Sequence, residues 1–369
     1  MAINKKFIIA HLHVADKNNK GDLAIVLAVQ ELLRKQFINC RIIDIPVDVL
    51  KNGGSIYLKK INSADFVVIG GGGIFYSYFL PYNTDFIKKI KKPIIIFGVG
   101  YIREIGAPEL NSVSALSVAA LVDSAVLVGV RDNNTKKFLL KYGVSATKIK
   151  VIGDPAVLLS EVKPTQFEKK IIRTSAKNKS VKSLKPLKSL KSLKPLIKIG
   201  LNLNYSGWLG FGKWREDILN SYRTVAEYFQ ENFQAEIYYF KHHPGENNIY
   251  PYLNIKNLKV IDLVPRQQKY VYGQMDLVIG MMLHSGVLAF GAGAPEISVA
   301  YDLRNYSFAE FIGHPELVID LANLKKGELL KRAKQVFTKR KKCRLIFKRL
   351  FIFISKKQTD FLREIIKHI

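Results

Sequence analysis

Residues 66–73 read Phe-Val-Val-Ile-Gly-Gly-Gly-Gly, a short apolar run that ends in four glycines. Such a run is typical of a strand that is buried on both faces of a parallel sheet. Residues 7–10 and 94–97 are runs of the same kind, and residues 23–35 carry apolar positions at helical spacing. Strands that alternate with helices predict a doubly wound α/β domain.

The second half of the chain repeats this pattern. Residues 197–203, 236–240, 277–279 and 297–300 predict strands, and residues 217–232 predict a helix. Two Rossmann-like halves follow from the repetition. Because ligands of such sheets bind at the carboxyl ends of the strands, we expect both halves to face one central cleft.

Composition divides the chain into four segments. An N-terminal Rossmann-like domain is predicted for residues 1–160, and a C-terminal one for residues 197–330. Residues 161–196 contain Ser-Leu-Lys and Lys-Pro-Leu units, which predict a linker or a surface insertion because proline interrupts any helix. Residues 331–369 alternate basic clusters with apolar residues and predict a basic amphipathic helical tail.

The formal net charge of +28 lies mostly outside the two predicted domains. Residues 174–198 hold eight lysines and no acid, and residues 331–369 hold fourteen basic residues against two acidic ones. With no recognised RNA- or DNA-binding motif, this distribution argues against a nucleic-acid partner. The isolated Cys40 and Cys343 indicate a reducing compartment. Because no apolar stretch approaches the roughly 20 residues of a spanning helix, we expect a cytoplasmic protein.

Glycines and one carboxylate lie where the first strands end. Gly71, Gly72 and Gly73 either expose backbone N–H groups to a ligand or form a tight turn. They do not match the dinucleotide fingerprint, which spaces its glycines over six residues. Asp22 opens the first long helix, where its carboxylate either caps the helix or serves as an acid or base in the cleft.

The stretch Met-Met-Leu-His-Ser at residues 281–285 follows a predicted strand and opens a helix rich in small residues. Leu283, His284 and Ser285 therefore lie near a helix N-terminus, which favours an anion. An imidazole there can bind a phosphate or a carboxylate, or move a proton near neutral pH. The alternative is a buried histidine with a structural role.

Three more polar residues follow strands. His243 belongs to a Lys-His-His-Pro turn and contacts substrate or has a structural role; its neighbour His242 points elsewhere, so a shared metal site is not expected. Arg131 and Arg304 either hold an oxyanion or pair with the adjacent Asp132 and Asp302. We predict no metal site and no cofactor.

Seven short motifs occur in a defined order along the chain. They are Gly21-Asp22, Ala64-Asp65 before the glycine run, Gly98-Val99-Gly100, Val130-Arg131-Asp132, Gly153-Asp154-Pro155, Leu283-His284 and Tyr301-Asp302. In this order they resemble the polysaccharide pyruvyl transferase family, over residues 7–160 and 197–325. The resemblance implies a GT-B-like fold and transfer of a pyruvyl group from phosphoenolpyruvate to hydroxyls of a cell-surface glycan or its lipid-linked precursor, with release of phosphate.

The resemblance also assigns roles to residues. His284 matches the family's motif histidine and is the candidate donor ligand and general acid, while Asp22 is the candidate base for the acceptor hydroxyl. The predicted substrate-binding residues are Gly71, Gly72, Gly73, Arg131, His243, Leu283, Ser285 and Arg304. One departure is Met282, because the family usually reads Arg-Leu-His where this chain reads Met-Leu-His.

Two other functions stay open at this stage. The missing arginine favours a glycosyltransferase of the same fold that uses a sugar nucleotide. A protein of another class, non-catalytic, would bind anionic surfaces through its linker and tail. The tail itself either packs on the body of the protein or contacts an anionic membrane, which would place the protein at the inner face of the cell membrane.

Overall fold

The computed structural model describes residues 6–165, 173–174, 196–204 and 211–369. The Ser-Leu-Lys repeats of the predicted linker lie outside these ranges. The described residues form two compact units. Unit 1 comprises those up to Ser160 together with Ala300–Val318 and Ile346–Ile369, and unit 2 comprises those from Glu161 to Val299 together with Ile319–Leu345.

A six-stranded parallel sheet forms the centre of unit 1. Its strands are β1 (Ile8–His13), β2 (Arg41–Pro46), β3 (Phe66–Phe75), β4 (Ile94–Tyr101), β5 (Leu127–Val130) and β6 (Ile149–Val151). The spatial order is β2-β1-β3-β4-β5-β6, and each neighbouring pair is parallel. The helices are α1 (Lys20–Gln36), α2 (Val49–Asn52), α3 (Ser55–Asn62), α4 (Thr84–Lys88), α5 (Ser112–Ser124) and α6 (Asn133–Lys141). This is the doubly wound architecture that the apolar runs predict.

The core of unit 1 lies between this sheet and its helices. Val67, Ile69 and Ile96 are fully buried, as expected of strands covered on both faces. Burial of each such side chain stabilises the fold by about 1.5–3 kcal/mol. Helix α1 is capped by Asn19, whose side chain accepts hydrogen bonds from the first-turn backbone N–H groups, including that of Asp22. The alternative that Asp22 caps this helix is therefore wrong, and Asp22 lies in the first turn.

Unit 2 contains a seven-stranded sheet. Its strands are β7 (Arg173–Thr174), β8 (Lys198–Asn202), β9 (Glu236–Phe240), β10 (Lys259–Ile261), β11 (Leu277–Gly280), β12 (Glu296–Ala300) and β13 (Val318–Asp320), in the order β13-β12-β11-β8-β9-β10-β7. Strand β7 is antiparallel to β10, whereas β8, β9, β10, β11 and β12 run parallel. The helices between these strands include α7 (Phe211–Phe233), α8 (Pro265–Tyr272) and α9 (Leu283–Gly291). The second predicted doubly wound half is thus confirmed.

Two later segments belong to unit 1 although they follow most of unit 2 in sequence. One contains helix α10 (Leu303–Phe311), whose Ser307 Oγ accepts a hydrogen bond from Asn134 Nδ2 of α6 at 2.6 Å. The other is the part of a long C-terminal helix from Ile346 onward. Helix α11 (Glu328–Thr338) precedes that long helix, α12 (Arg340–Ile365). The predicted C-terminal domain at 197–330 and tail at 331–369 therefore differ in their boundaries from the observed units.

Helix α12 packs one face on the sheet of unit 1. The Phe361 ring lies 5.6 Å from the Phe97 ring of β4, and Gln358 Nε2 donates to the Asp154 backbone carbonyl at 3.2 Å. The tail therefore packs on the body, which was one of its two expected roles. Ile352 and Phe353 are exposed on another side, and contact of that side with an anionic membrane stays a prediction. In the described part of the chain, none of the helices is both long and apolar enough to span a lipid bilayer.

Candidate functional site

The predicted site residues are divided between the two units. Unit 1 holds Asp22, Gly71, Gly72, Gly73, Arg131 and Arg304, and unit 2 holds His243, Leu283, His284 and Ser285. In each sheet the chain reverses its winding direction once, between β1 and β3 in unit 1 and between β8 and β11 in unit 2. Ligands of open α/β sheets bind outside the carboxyl ends of strands at such switch points. The candidate residues of each unit can therefore lie at, or away from, the switch point of their own sheet.

In unit 1 the glycine run continues strand β3 to Phe75 and forms no simple turn. Gly71 has a φ of +74°, and a Cβ atom there would lie 1.9 Å from Ile25 Cγ2 of α1. A Cβ atom on Gly73 would lie equally close to Ile102 Cδ1, at 1.9 Å. These two glycines thus permit close packing around the strand. Gly72, with a φ of +87°, meets nothing closer than 3.7 Å.

Asp22 lies near Gly72, and Arg304 is within electrostatic range of Asp22. Asp22 Oδ1 is 3.9 Å from the position of a Cβ atom on Gly72, so the start of α1 adjoins the end of β3. Burial alone would lower the pKa of the Arg304 guanidinium, but the Asp302 carboxylate, the Tyr301 hydroxyl and the Asp22 carboxylate raise it. The guanidinium is therefore charged at every physiological pH. The structure thus places a carboxylate and an open glycine at the switch point of unit 1, with the Arg304 guanidinium within electrostatic range of the carboxylate.

Arg304 is held by its own segment. Its Nε donates to Asp302 Oδ2 at 2.7 Å, its Nη2 donates to the Tyr301 hydroxyl at 2.9 Å, and Nη2 also contacts Asp302 Oδ2. The backbone N–H of Leu303 donates to the Arg103 carbonyl at 3.1 Å, which fixes this segment beside the end of β4. The salt bridge with Asp302 is thus present. The contacts orient the guanidinium for a ligand or serve the fold alone.

Arg131 lies deeper in unit 1. Its Nε is 3.3 Å from Asp132 Oδ2 and its Nη1 is 3.6 Å from Asp154 Oδ2, while only 4% of its side chain is exposed. Gly100 makes room for the guanidinium, because a Cβ atom there would lie 2.3 Å from Arg131 Nη2. This arrangement matches the ion-pair alternative for Arg131. It also gives the Gly98-Val99-Gly100 and Gly153-Asp154-Pro155 motifs a common packing role.

In unit 2, His284 lies in the first turn of α9, next to the switch point. The side chain is 5% exposed, and Leu283 and Ser285 beside it are buried as well. The N-cap residue is Met282, whose thioether offers no strong acceptor to the first-turn N–H groups. Such a helix start attracts a phosphate or a carboxylate through its N–H groups and its dipole.

A hydrogen-bond network that the sequence analysis missed holds this turn in place. Asn202, the last residue of β8, accepts the Met282 N–H through Oδ1 at 3.1 Å. Its Nδ2 donates to the Phe240 carbonyl at 2.9 Å and to Glu246 Oε2 at 3.2 Å. The fully buried Glu246 also accepts from the Tyr239 hydroxyl at 2.5 Å. Asn202 and Glu246 therefore act as positioning residues that connect the ends of β8 and β9 to the start of α9.

The two adjacent histidines after β9 point in different directions, as predicted. His243 Nδ1 accepts the Gly245 N–H at 3.0 Å, and its own N–H donates to Glu246 Oε1 at 2.7 Å, so it forms a capping box with Glu246. His242 is buried, with Nε2 2.8 Å from the Tyr272 hydroxyl. The capping contacts give His243 a structural role, and substrate contact by His243 stays a prediction. The Pro-Gly-Glu sequence after the histidines was the signal for this cap.

Beneath α9 lies a second buried carboxyl group. Glu296 begins β12 and is 1% exposed, and a Cβ atom on Gly286 of α9 would lie 3.1 Å from Glu296 Oε2. Burial raises the pKa of Glu296 to about 7, although a hydrogen bond from the Ser298 hydroxyl partly opposes the shift. Glu296 therefore holds a proton under mildly acidic conditions. It lies at the amino end of its strand, away from the edge that carries His284.

This group predicts a dependence of stability on pH. Between pH 4.5 and about 7 the folded chain keeps a proton on Glu296 that the unfolded chain has released. The free energy of unfolding should therefore fall as the pH rises through this window and level off above it, by at most about 3 kcal/mol. Urea unfolding of wild type and Glu296→Gln at pH 5 and pH 8 measures the effect. Glu296→Gln should lose this fall in the free energy of unfolding, whereas the surface variant Glu316→Gln should retain it. An equal change between pH 5 and pH 8 in wild type and Glu296→Gln would contradict the raised pKa of Glu296.

The family model of the polysaccharide pyruvyl transferases matches residues 19–302 of the chain. This match includes both groups of residues at the switch points, apart from Arg304. A comparison with the sequences of curated proteins found no match.

Solved structures show a likeness over nearly the whole chain. UDP-GlcNAc 2-epimerase from Methanocaldococcus jannaschii, in complex with UDP-GlcNAc and UDP, is 11% identical with a TM-score of 0.55, over 89% of this chain and 92% of that one. Anabaena HepE in complex with UDP-glucose is 12% identical with a TM-score of 0.53, over 98% and 100%. OtsA is 13% identical with a TM-score of 0.54, over 99% and 100%. At these identities the likeness concerns the fold, and the GT-B-like class with two Rossmann-like domains is confirmed.

Proposed function

Because the chain belongs to the polysaccharide pyruvyl transferase family, we propose that it transfers a pyruvyl group from phosphoenolpyruvate to two hydroxyls of a cell-surface glycan or its lipid-linked precursor. The observation that carries the proposal is the position of His284. The side chain lies in the first turn of α9, at the switch point of its sheet and inside the family match. This is where an open α/β sheet binds an anionic ligand.

The reaction has a defined demand for protons. One acceptor oxygen adds to C2 of phosphoenolpyruvate while the methylene carbon C3 takes a proton and becomes a methyl group. The second acceptor oxygen then displaces phosphate from C2 and closes the ketal. Of the two hydroxyl protons released, one balances the proton gained by C3 and the other leaves with phosphate. The enzyme therefore needs a group that donates a proton to C3 and groups that hold the phosphate and the carboxylate.

His284 supports the first of these tasks. Histidine is the usual proton donor in enzymes that act near neutral pH, and His284 is almost fully buried. The N–H groups of the α9 first turn support the second task, because they favour an anionic oxygen. Asp22 stays the predicted base for the acceptor hydroxyl.

Because Met282 stands where the family has an arginine, the anionic donor lacks one cation that would bind it. Losing a charge-assisted bidentate contact costs about 1.5–3 kcal/mol of binding free energy. Either another group therefore replaces the arginine that is absent at position 282, or the donor is a different molecule. Lys241 pairs with Asp262 at 2.6 Å, and Arg215 lies over the Tyr252 ring at 4.4 Å. In the described part of the chain, these cations and Arg131 already have partners in their own units. Arg304 is paired with Asp302 in the same way, so donor binding by Arg131 and Arg304 stays a prediction.

A ligand titration tests the donor. Thermal-shift and calorimetric titrations with phosphoenolpyruvate are expected to show stabilisation of the wild-type chain, because a ligand that binds the folded state raises its free energy of unfolding. His284→Ala should lose most of this response. A panel of sugar nucleotides measured alongside provides the comparison, and no response to phosphoenolpyruvate would remove it as the donor.

One alternative function has a specific observation in its favour. Met282 replaces the arginine that would bind the anionic donor, and HepE, of similar fold, was solved with UDP-glucose. A glycosyltransferase that uses a sugar nucleotide is consistent with both facts. Stabilisation by sugar nucleotides alone in the same titration would favour this reading over pyruvyl transfer.

A further inference from the structure

Three potential metal ligands meet at the edge of unit 1 between β1 and β2. His11 and His13 are two residues apart on β1, so their side chains lie on one face of the sheet. Asp44 of β2 is the register partner of His11. One ligand atom from each of the three residues lies within 4.8 Å of the other two.

The hydrogen bonds of the two histidines leave one ring nitrogen of each available. His11 Nε2 lies 3.3 Å from the Gly70 carbonyl, and His13 Nδ1 lies 2.9 Å from the Val14 carbonyl. A carbonyl only accepts, so these nitrogens carry the protons of the neutral rings. Donation of one ring N–H to a backbone carbonyl is the usual arrangement of histidines that bind metals. His11 Nδ1 is buried and makes no hydrogen bond with any residue that the structure describes.

His13 and Asp44 face each other through two acceptor atoms. His13 Nε2 lies 3.1 Å from Asp44 Oδ1, and with the His13 proton on Nδ1 both atoms present lone pairs. A cation between these two atoms would accept a lone pair from each. A cation would also engage the unused lone pair of His11.

The Asp44 carboxylate is held in place by neighbouring side chains and is also accessible to solvent, as a metal-binding group must be. Gln30 Nε2 of α1 donates to Asp44 Oδ1 at 2.5 Å, and Arg34 Nη2 donates to Gln30 Oε1 at 3.3 Å. This outer layer orients the carboxylate, as is usual around bound metals. The Asp44 side chain is 62% exposed, so an ion can enter from solvent.

We propose that His11, His13 and Asp44 bind one divalent transition-metal ion of the zinc type, with water completing its coordination. Two imidazoles and one carboxylate are donors that zinc prefers, whereas magnesium and calcium require mostly oxygen ligands. The site connects β1, β2 and, through Gln30, helix α1. Because the metal binds the folded chain, it stabilises unit 1 beside Gly70. The inference does not depend on the proposed transferase activity.

Zinc binding to the tag-free full chain tests this site. After treatment with a chelator, calorimetric titration with zinc chloride is expected to show one equivalent bound, and the thermal midpoint should rise by about 5 °C at a hundredfold excess over Kd. His13→Ala and Asp44→Asn should each weaken binding tenfold or more. Both side chains are less enclosed than His11, so these variants are expected to fold, which circular dichroism checks.

The matched control is His314→Ala. His314 Nδ1 lies 2.8 Å from Glu316 Oε1, so it forms another histidine–carboxylate pair, outside the proposed site. This variant should bind zinc as wild type does. Cobalt provides a second measurement, because its visible absorption bands report imidazole ligands and should be lost in His13→Ala. Absence of zinc binding in wild type, unchanged binding in His13→Ala and Asp44→Asn, or an equal loss in His314→Ala would overturn the proposal.

Discussion

Replacing His284 by alanine is expected to reduce turnover by roughly 10²–10⁴-fold, the range of a general acid or base, while the chain remains folded. The imidazole is 5% exposed and belongs to the first turn of α9, so its removal leaves a small cavity and not a broken element. The backbone contacts that hold this turn come from Asn202 and are independent of the His284 side chain.

Turnover is measured as phosphate release in the presence of phosphoenolpyruvate and a glycan acceptor, together with the thermal midpoint of each variant. His314→Ala serves as the control, because this histidine pairs with Glu316 on the surface and should leave turnover unchanged. Near-normal turnover in His284→Ala would remove His284 from the mechanism. A collapse of the thermal midpoint in that variant would instead give the histidine a structural role.

The fold was predictable where burial is continuous along the sequence. The apolar run at 66–69 lies in β3, and the run at 94–97 lies in β4. The glycines after Ile69 were harder to interpret. Gly71 is required because Ile25 packs against it, and Gly73 because Ile102 does, and neither isoleucine is a neighbour of the glycines in sequence. A turn and a strand packed tightly against a helix present the same glycine pattern.

The positions of the candidate site residues in the fold were predictable in part, and their roles stay predictions. Helix-start and strand-end positions pointed to His284 and Asp22, because these places are marked by local signals. Asn202 and Glu246 were missed, since their function depends on contacts 80 and 44 residues apart in the chain, with Met282 and Asn202 respectively. Asp44, which we propose as a metal ligand, was missed for the same reason: only the register between β1 and β2 places it beside His11.

Replacing Glu246 by alanine is expected to destabilise the chain by about 3–5 kcal/mol, because it breaks a buried network of four hydrogen bonds. Its Oε1 accepts the N–H groups of His242 and His243, each at 2.7 Å. Its Oε2 accepts from the Tyr239 hydroxyl and Asn202 Nδ2, at 2.5 and 3.2 Å. Removing the carboxylate takes the acceptor from the two backbone N–H groups and the Tyr239 hydroxyl, while Asn202 Nδ2 keeps the Phe240 carbonyl. Each unsatisfied buried group costs about 1–3 kcal/mol.

Chemical unfolding followed by circular dichroism measures this loss, with two variants for comparison. Glu246→Gln retains one acceptor oxygen but places an amide N–H₂ group opposite two donor groups. Its loss of unfolding free energy should therefore be intermediate. Glu316→Ala removes a carboxylate that is exposed and should change the free energy of unfolding by less than about 0.5 kcal/mol. Because Asn202 holds the Met282 N–H, Glu246→Ala should also lower turnover at temperatures where the chain is still folded. A Glu246→Ala chain as stable as Glu316→Ala would show that the ends of β8 and β9 are held by other contacts.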